Sequence, residues 1–229
     1  MAWRASVEQW RSLLVERSAG TGLPIEFLLA WINSESGGNQ CVSSGMAGIE
    51  AGIWQTYHPD DDRFGLTYAQ NRAACSGSKL TRALTQAEKV AIVDAGLKYI
   101  ANRRDRARTA LHDIGANWSE SSSDFWMLVK LHHVLPAYYR FLPAYKSKQG
   151  RAPSSWREFR RWVEGLSVGE FVGLVPAAER WSSAAQRARL FNNAEHIGQH
   201  GGGAIAGGMV SLDLALLLGL AAALFFLAR

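Results

Sequence analysis

The chain has 229 residues, of which 48% are hydrophobic and 20% are charged. This length suits one sizeable core or two small ones, and the composition excludes a chain that is mainly disordered. The formal net charge of +5 suits an anionic partner such as nucleic acid, acidic lipid or an acidic cell-wall polymer. Short basic clusters occur at 103–106 and 157–161. Because no nucleic-acid signature accompanies them, we interpret them as solvated helix faces and expect no specific nucleic acid as a partner.

The N-terminal segment, residues 1–20, is interpreted as an amphipathic helix. It lacks the continuous apolar stretch of a signal peptide. Ser6 and Gln9 have the spacing of a capping box, which predicts a helix start. The residues that follow at helical intervals are Trp10, Leu13, Leu14 and Arg17.

The next predicted helix carries a glutamate at its end. Pro24 is typical of the first turn of a helix. The apolar residues that recur at helical spacing after it are Ile25, Leu28, Leu29 and Ile32. At about 100° per residue, Glu35 falls on the same apolar face, in the last turn. Gly37 and Gly38 then end the helix.

This position predicts an unusual pKa for Glu35. Partial burial and the negative end of the helix dipole both disfavour the carboxylate, so we expect a raised pKa. A carboxylic acid that stays protonated near neutral pH suits a general acid. The alternative is a boundary glutamate that pairs with an arginine or turns to solvent.

The rest of the chain before residue 198 is predicted to be mainly helical. Glycines and prolines are dense from Gly37 to Asn71, which predicts loops. Thr85 and Glu88 form a second capping-box match, opening a long helix to about Leu111. Further helices are predicted at 124–135, 154–163, 167–175 and 177–195. Because no run of alternating apolar residues persists, no sheet is predicted, and residues 1–197 are interpreted as one mainly α domain.

One stretch matches a known catalytic motif. Residues 35–55 read ESGGNQCVSSGMAGIEAGIWQ. The stretch resembles the signature of the soluble lytic transglycosylase (SLT) family, which has the lysozyme-like fold, and the preceding GLPIEFLLAWINS resembles the helix before the family's acid. The residues that carry the match are Glu35, Ser36, Asn39, Ser44, Gly52, Ile53, Trp54 and Gln55.

The chain also departs from the family pattern. The motif is longer than usual, Trp54 stands where Met is common, and Glu50 adds a carboxylate to the turn. The family's later Tyr-Asn-Ala-Gly motif is not found. LHHVLP at 131–136 occupies a plausible equivalent place, with His132 or His133 at the tyrosine position. Tyr138 and the adjacent Tyr139 are nearby substitutes.

The resemblance implies cleavage of the β-1,4 bond between N-acetylmuramic acid and N-acetylglucosamine in peptidoglycan. Glu35 would protonate the leaving oxygen, and the 2-acetamido group of the muramoyl sugar would stabilise the oxocarbenium-like centre. The ionised Glu35 would then accept the proton of the sugar's own C6 hydroxyl. The product is a 1,6-anhydro sugar, and this route needs one carboxylate where common glycosidases use two.

Roles for the neighbouring residues follow from the same resemblance. Ser36 and Gln55 would position Glu35 or bind sugar, although helix capping and a turn-locking bond are open alternatives. Trp54 would stack on a sugar ring. Glu50 keeps a hydrolytic lysozyme mechanism open if it activates water, but it would more simply brace the loop. The full predicted substrate-binding set is Ser36, Asn39, Glu50, Trp54, Gln55, His132 and Tyr138.

The two cysteines, Cys41 and Cys75, lie in predicted loops without a catalytic Cys-His signature. They either form a disulfide beside the site, in an oxidising compartment, or remain two free thiols. The six histidines do not have zinc-site spacing, so no metal or other cofactor is expected.

The C-terminal segment, residues 204–228, is apolar except for Asp213. A bilayer core needs about 20 such residues, so a single transmembrane helix is predicted there. The Gly-rich stretch 198–203 is interpreted as a flexible hinge. Gly203 and Gly207 have GxxxG spacing, which leaves a homo-oligomer open.

These features predict a membrane-anchored, wall-degrading protein that acts in the periplasm or cell wall on peptidoglycan glycan strands. A domain of this size seldom crosses a membrane ahead of its only apolar span. We therefore expect a bacteriophage virion protein that opens the wall during genome ejection, with a secretion or conjugation system as the alternative. The rival interpretations are a non-catalytic, membrane-anchored glycan-binding structural protein and, on net charge alone, a DNA-binding ejection protein.

Overall fold

The computed structural model describes residues 2–42, 50–57 and 74–202, and the described chain is mainly helical. Helices α1 (Ala5–Glu8), α2 (Arg11–Ser18) and α3 (Ile25–Glu35) come first. Two short antiparallel ribbons follow, β1 (Glu50–Ala51) with β2 (Thr56–Tyr57) and β3 (Cys75–Ser76) with β4 (Lys79–Leu80). The later helices are α4 (Gln86–Ile114), α5 (Ser123–Val134), α6 (Phe141–Gln149), α7 (Trp156–Gly165), α8 (Val168–Leu174) and α9 (Ala184–Gly198). Short 3-10 helices occupy Pro136–Arg140 and Pro176–Trp181. The prediction of a mainly α chain is confirmed.

Helix α5 lies at the centre of the packing, against α4, α7 and α9. Its buried apolar side chains include Phe125, Trp126, Leu128, Val129 and Leu131. Helix α3 is apolar through its middle and packs against α1, α2 and α9. Both helices are buried on several sides, as expected of helices with few polar residues. They bring the end of α3 and the last turns of α5 together.

Side-chain caps set several helix starts. Thr85 accepts from the Glu88 amide while Glu88 accepts from the Thr85 amide, so the predicted capping box of α4 is confirmed. The predicted box at Ser6 and Gln9 is wrong. Helix α1 begins at Ala5 and is only four residues long, and the Gln9 side chain donates to the Ser6 carbonyl instead.

Other boundaries differ because prolines and serines divide the C-terminal region. The predicted helix 177–195 is two elements, since Pro176 opens a 3-10 helix and Ser183 caps the separate α9. Helix α7 begins at Trp156, because Ser155 rather than Ser154 is its cap. Helix α6 and the 3-10 helix before it were not predicted.

The Gly-rich stretch after α9 is packed where the structure describes it. Helix α9 continues to Gly198, one residue beyond the predicted domain end. A Cβ on Gly201 would lie 2.1 Å from Cγ of Trp126, and the rings of Trp3 and His200 are 5.3 Å apart. Residues 198–202 therefore lie against the domain and are not a free hinge. The predicted membrane helix at 204–228 lies outside the described residues, within which no helix is long and apolar enough to cross a membrane.

Candidate active site

The end of α3 is fixed by two glycines that follow Glu35. Gly37 and Gly38 have φ angles of 60° and 84°, which favour glycine. A Cβ on Gly38 would lie 1.9 Å from the Ser6 carbonyl oxygen. Only glycine therefore allows α1 to close over the end of α3, where the Trp10 indole donates to the Gly38 carbonyl.

Glu35 faces two basic residues from α5. Lys130 Nζ is paired with Glu35 Oε1, and His133 Nε2 lies 3.6 Å from the same oxygen. The side chains of Lys130, His133 and Glu35 are 0%, 9% and 16% exposed, so Glu35 is the most accessible of the three. Lys130 and His133 are three residues apart, which places them on one helix face.

Aromatic residues complete this cluster. Lys130 Nζ lies 4.0 Å from the centre of the Trp31 ring, a cation–π contact. The Trp31 and His133 rings are 4.9 Å apart. Tyr99 of α4 hydrogen-bonds to His133 Nδ1 at 2.8 Å. Since a carboxylate only accepts, we assign the His133 hydrogen to Nε2, facing Glu35, with Tyr99 donating to Nδ1.

The electrostatics of the cluster overturn the expected pKa of Glu35. Burial raises the pKa, but the charge of Lys130, together with Lys130 and His133 hydrogen bonding, more than offsets it, and the pKa falls to about 2. The predicted rise in pKa is wrong, because periodicity within α3 indicates the burial of Glu35 but not the nearby Lys130 charge. Burial and the charge of Lys130 also lower the pKa of His133 to about 4, against the opposing effect of Glu35. At neutral pH the free protein thus holds Glu35 ionised and His133 neutral.

Hydrogen bonds join the two ends of the motif beside Glu35. Ser36 Oγ lies 3.0 Å from the Ile53 carbonyl oxygen and accepts from the Gly38 amide. Gln40 Oε1 accepts from the Ile53 amide at 3.2 Å. The Gly52–Gln55 turn is therefore held directly against the residues that follow the α3 carboxylate.

Gln55 locks this turn from within. It has a φ of 49°, and its Nε2 donates to the carbonyl oxygens of Val42 and Gly52, both at 2.9 Å. The side chain is buried. Gln55 and Ser36 thus both bind backbone groups here, which are the structural roles left open by the sequence; their contact with sugar stays a prediction.

Trp54 lies in the core. Its side chain is 1% exposed, and its indole donates to the Ile92 carbonyl at 3.0 Å. Its ring lies against Gly96 of α4, where a Cβ would approach within 2.1 Å. Stacking of Trp54 on a sugar would require the ring to leave this position, so the turn presents no face of Trp54 to a glycan in this structure.

The loop after α3 is tied to the β3–β4 ribbon. Cys41 and Cys75 form a disulfide with a Cα–Cα distance of 5.5 Å, which decides between the two sequence alternatives. Asn39 Nδ2 donates to the Ser78 carbonyl at 3.1 Å, and its Oδ1 accepts from the Cys41 amide. Both contacts brace the loop next to Glu35. Ser44 lies outside the described residues, and of Glu50 only the backbone is described, paired with Tyr57 across β1 and β2.

His132 and Tyr138 contact each other and line a second region of the structure. Their rings are 5.2 Å apart, and His132 Nε2 lies 3.4 Å from Arg103 Nη1. Burial, followed by the charges of Arg103 and Arg106, lowers the pKa of His132 to about 3. A pocket of about 290 Å³ is lined by His132, Tyr138 and Tyr139 with residues of α4. Of the adjacent histidines, His133 rather than the predicted His132 faces the carboxylate.

Sequence reasoning missed Lys130 altogether. The available signal was a lysine within the apolar stretch FWMLVKLHHV, three residues before a histidine. That spacing puts Lys130 and His133 on one helix face, but only the packing of α5 shows that the face meets Glu35.

No protein-family model, curated protein or solved structure matches this chain.

Proposed function

We propose that the protein is a peptidoglycan lytic transglycosylase in which Glu35 is the acid and base that cleaves the glycan. The observation that carries this proposal is the assembly of the resembling motif around one carboxylate. Ser36 and the Gly52–Gln55 turn, apart in sequence, meet beside Glu35. Glu35 itself is the most solvent-accessible member of a cluster that is otherwise almost wholly buried.

The site chemistry supports a single-carboxylate mechanism. A glycan lying over Glu35 would meet an oxygen already aligned by Lys130 and His133, which a proton-transferring group requires. The cleavage step needs this carboxyl in its protonated form, and the closing step needs it ionised. Because the free protein holds Glu35 ionised, protonation must accompany glycan binding.

The proposed location is an oxidising compartment outside the cytoplasm. The Cys41–Cys75 disulfide suits the periplasm or a virion rather than a reducing compartment. The apolar stretch 204–228 would anchor the domain as a transmembrane helix. We propose that it is carried in a bacteriophage virion and opens the wall locally for genome entry.

Mass spectrometry of digestion products tests the reaction. The full chain is incubated with purified peptidoglycan, and the released muropeptides are weighed. A lytic transglycosylase gives 1,6-anhydromuramoyl ends, which are lighter by one water than the reducing ends of a hydrolase.

Each other product pattern has a defined meaning. If the products carry only reducing muramic ends, the protein is a hydrolytic lysozyme and not a transglycosylase. Glu50→Gln should then abolish activity as well. Binding to the glycan without any cleavage would indicate a non-catalytic wall-binding protein.

A further inference from the structure

The Glu35 site contains a charge that its proposed reaction does not explain. Lys130 is completely buried, 0% exposed, and its ammonium contacts the Glu35 carboxylate. Burying an ammonium is costly, and a buried ion pair is weak evidence for added stability. A cation that only anchored Glu35 would also hold it in the form that cannot act as an acid.

We propose that Lys130 is the internal proton source of Glu35, so that the two side chains act as a single acid–base unit. The inference rests on the proposed glycan cleavage and identifies how Glu35 becomes protonated before that step. Lys130 does not reach the substrate itself; it is a positioning residue that acts through the carboxyl group.

Glycan binding supplies the driving force for the transfer. A sugar bound over Glu35 would remove water from the carboxylate, whose side chain is 16% exposed in the free protein. Loss of water disfavours two separate charges relative to a neutral amine and a neutral carboxylic acid. The proton then moves from Lys130 Nζ to Glu35 Oε1, between atoms already in contact.

The protons balance over the reaction. Glu35 gives its proton to the glycosidic oxygen as that oxygen takes the electron pair of the bond to C1. The C6 hydroxyl oxygen then bonds to C1, and its proton returns through Glu35 to the Lys130 amine. The pair ends as it began, and neither water nor a proton from solution is consumed.

The other groups around the carboxylate do not fill this role. His133 is neutral near neutral pH, since burial and the nearby Lys130 lower its pKa to about 4. Tyr99 and Arg103 come from α4: Tyr99 hydrogen-bonds His133, and Arg103 lies over the Tyr99 ring at 4.2 Å. Among the described charged groups, Lys130 is the cation in contact with Glu35.

Two substitutions separate a proton source from a fixed charge. Lys130→Arg keeps the positive charge, but a guanidinium does not release its proton in a protein. We expect its kcat on purified peptidoglycan to fall by about 100-fold near neutral pH. Lys130→Gln leaves the buried carboxyl without its cation, so burial raises the Glu35 pKa and the acid takes its proton from solution. Its kcat should fall about tenfold per pH unit above that pKa, a fall that the wild-type protein should lack.

Failure of the proposed function and failure of the Lys130 proposal give different results. If the wild-type full chain does not cleave peptidoglycan, the proposed function fails and this inference fails with it. If the wild type cleaves and Lys130→Arg has wild-type kcat, the inference alone is overturned, because charge without a transferable proton suffices.

A direct measurement covers the case in which a variant does not fold. The ¹³C resonance of the Glu35 carboxyl is followed in the wild-type full chain near pH 7, with and without a saturating N-acetylglucosamine hexamer. We expect the ionised position in the free protein and a shift toward the protonated position with the hexamer. A carboxyl that stays fully ionised in the complex would overturn the proposal.

Discussion

At the scale of single residues, the central feature is a carboxylate whose partner comes from a distant helix. The position of Glu35 at the end of an apolar helix follows from periodicity and from the two glycines after it. Its charge state does not, because Lys130 is 95 residues away in sequence. A pKa depends on contacts across the fold, and a pattern within one helix contains only the burial.

The lowered pKa values predict that acid destabilises the protein. Ordinary values are 6.5 for His132 and His133, and both are lowered in the fold, to about 3 and 4. Between each ordinary pKa and the lowered pKa in the fold, the unfolded chain binds more protons than the folded protein. The free energy of unfolding therefore falls as the pH drops below 6.5. Glu35 acts in the same direction, from its ordinary 4.5 down to about 2. Urea unfolding across this range measures the slope.

Two histidine variants test the origin of this pH dependence, one at a buried position and one at an exposed control position. His132→Gln removes one buried group that resists protonation, so its stability should depend less on pH between about 6.5 and 3. His112→Gln changes a side chain that is 88% exposed and serves as the matched substitution. Stability that is constant from neutral pH to pH 4 would contradict the account of these buried groups.

At the scale of elements, the sequence predicted helices better than it predicted their junctions. The capping box at Thr85 and Glu88 is a local signal, and α4 begins there. The motif predicts that Trp54 stacks on a glycan, yet the Trp54 ring packs on α4. The aromatic contacts of a loop depend on which helix passes beneath it, and that information is absent from the loop's own residues.

The contact between this turn and α4 predicts a steric effect at Gly96. A methyl group there would overlap the Trp54 ring, since a Cβ would lie 2.1 Å from its atoms. Gly96→Ala should lower the free energy of unfolding by about 1 to 3 kcal/mol, the usual cost of overpacking. Gly173→Ala in α8 is the control, because nothing lies within 4 Å of its added Cβ. Chemical denaturation that finds Gly96→Ala as stable as Gly173→Ala would exclude this packing.

At the scale of the whole molecule, the sequence predicted one mainly α domain but placed its end too early. Composition favours a hinge for the Gly-rich stretch, whereas Gly201 is buried, and a Cβ there would meet Trp126. Glycine is equally suited to flexible linkers and to close packing, and composition does not separate the two. The domain therefore includes residues up to at least 202.

This boundary determines how the apolar tail is tested. Insertion of 204–228 is favoured by about 0.3 to 0.6 kcal/mol for each Leu, Ile, Val or Phe, against about 2.5 to 3.5 for Asp213. We expect the full chain to resist carbonate extraction from membranes, and a chain ending at Gly202 to be soluble and to keep cleaving wall. Truncation before Gly201 should also expose Trp126 and reduce stability. Release of the full chain by carbonate would contradict insertion.

The most direct test of the account is the rate of peptidoglycan cleavage with and without the Glu35 carboxyl. Glu35→Gln alone removes the carboxylate that pairs with the buried Lys130 ammonium, and breaking a buried ion pair in this way costs about 3 to 5 kcal/mol. The decisive protein is therefore Glu35→Gln/Lys130→Gln, in which both charges are removed and the fold is checked by circular dichroism. Its cleavage rate should be at least about 100-fold below wild type. A folded double variant that cleaves at the wild-type rate would show that Glu35 is not the acid.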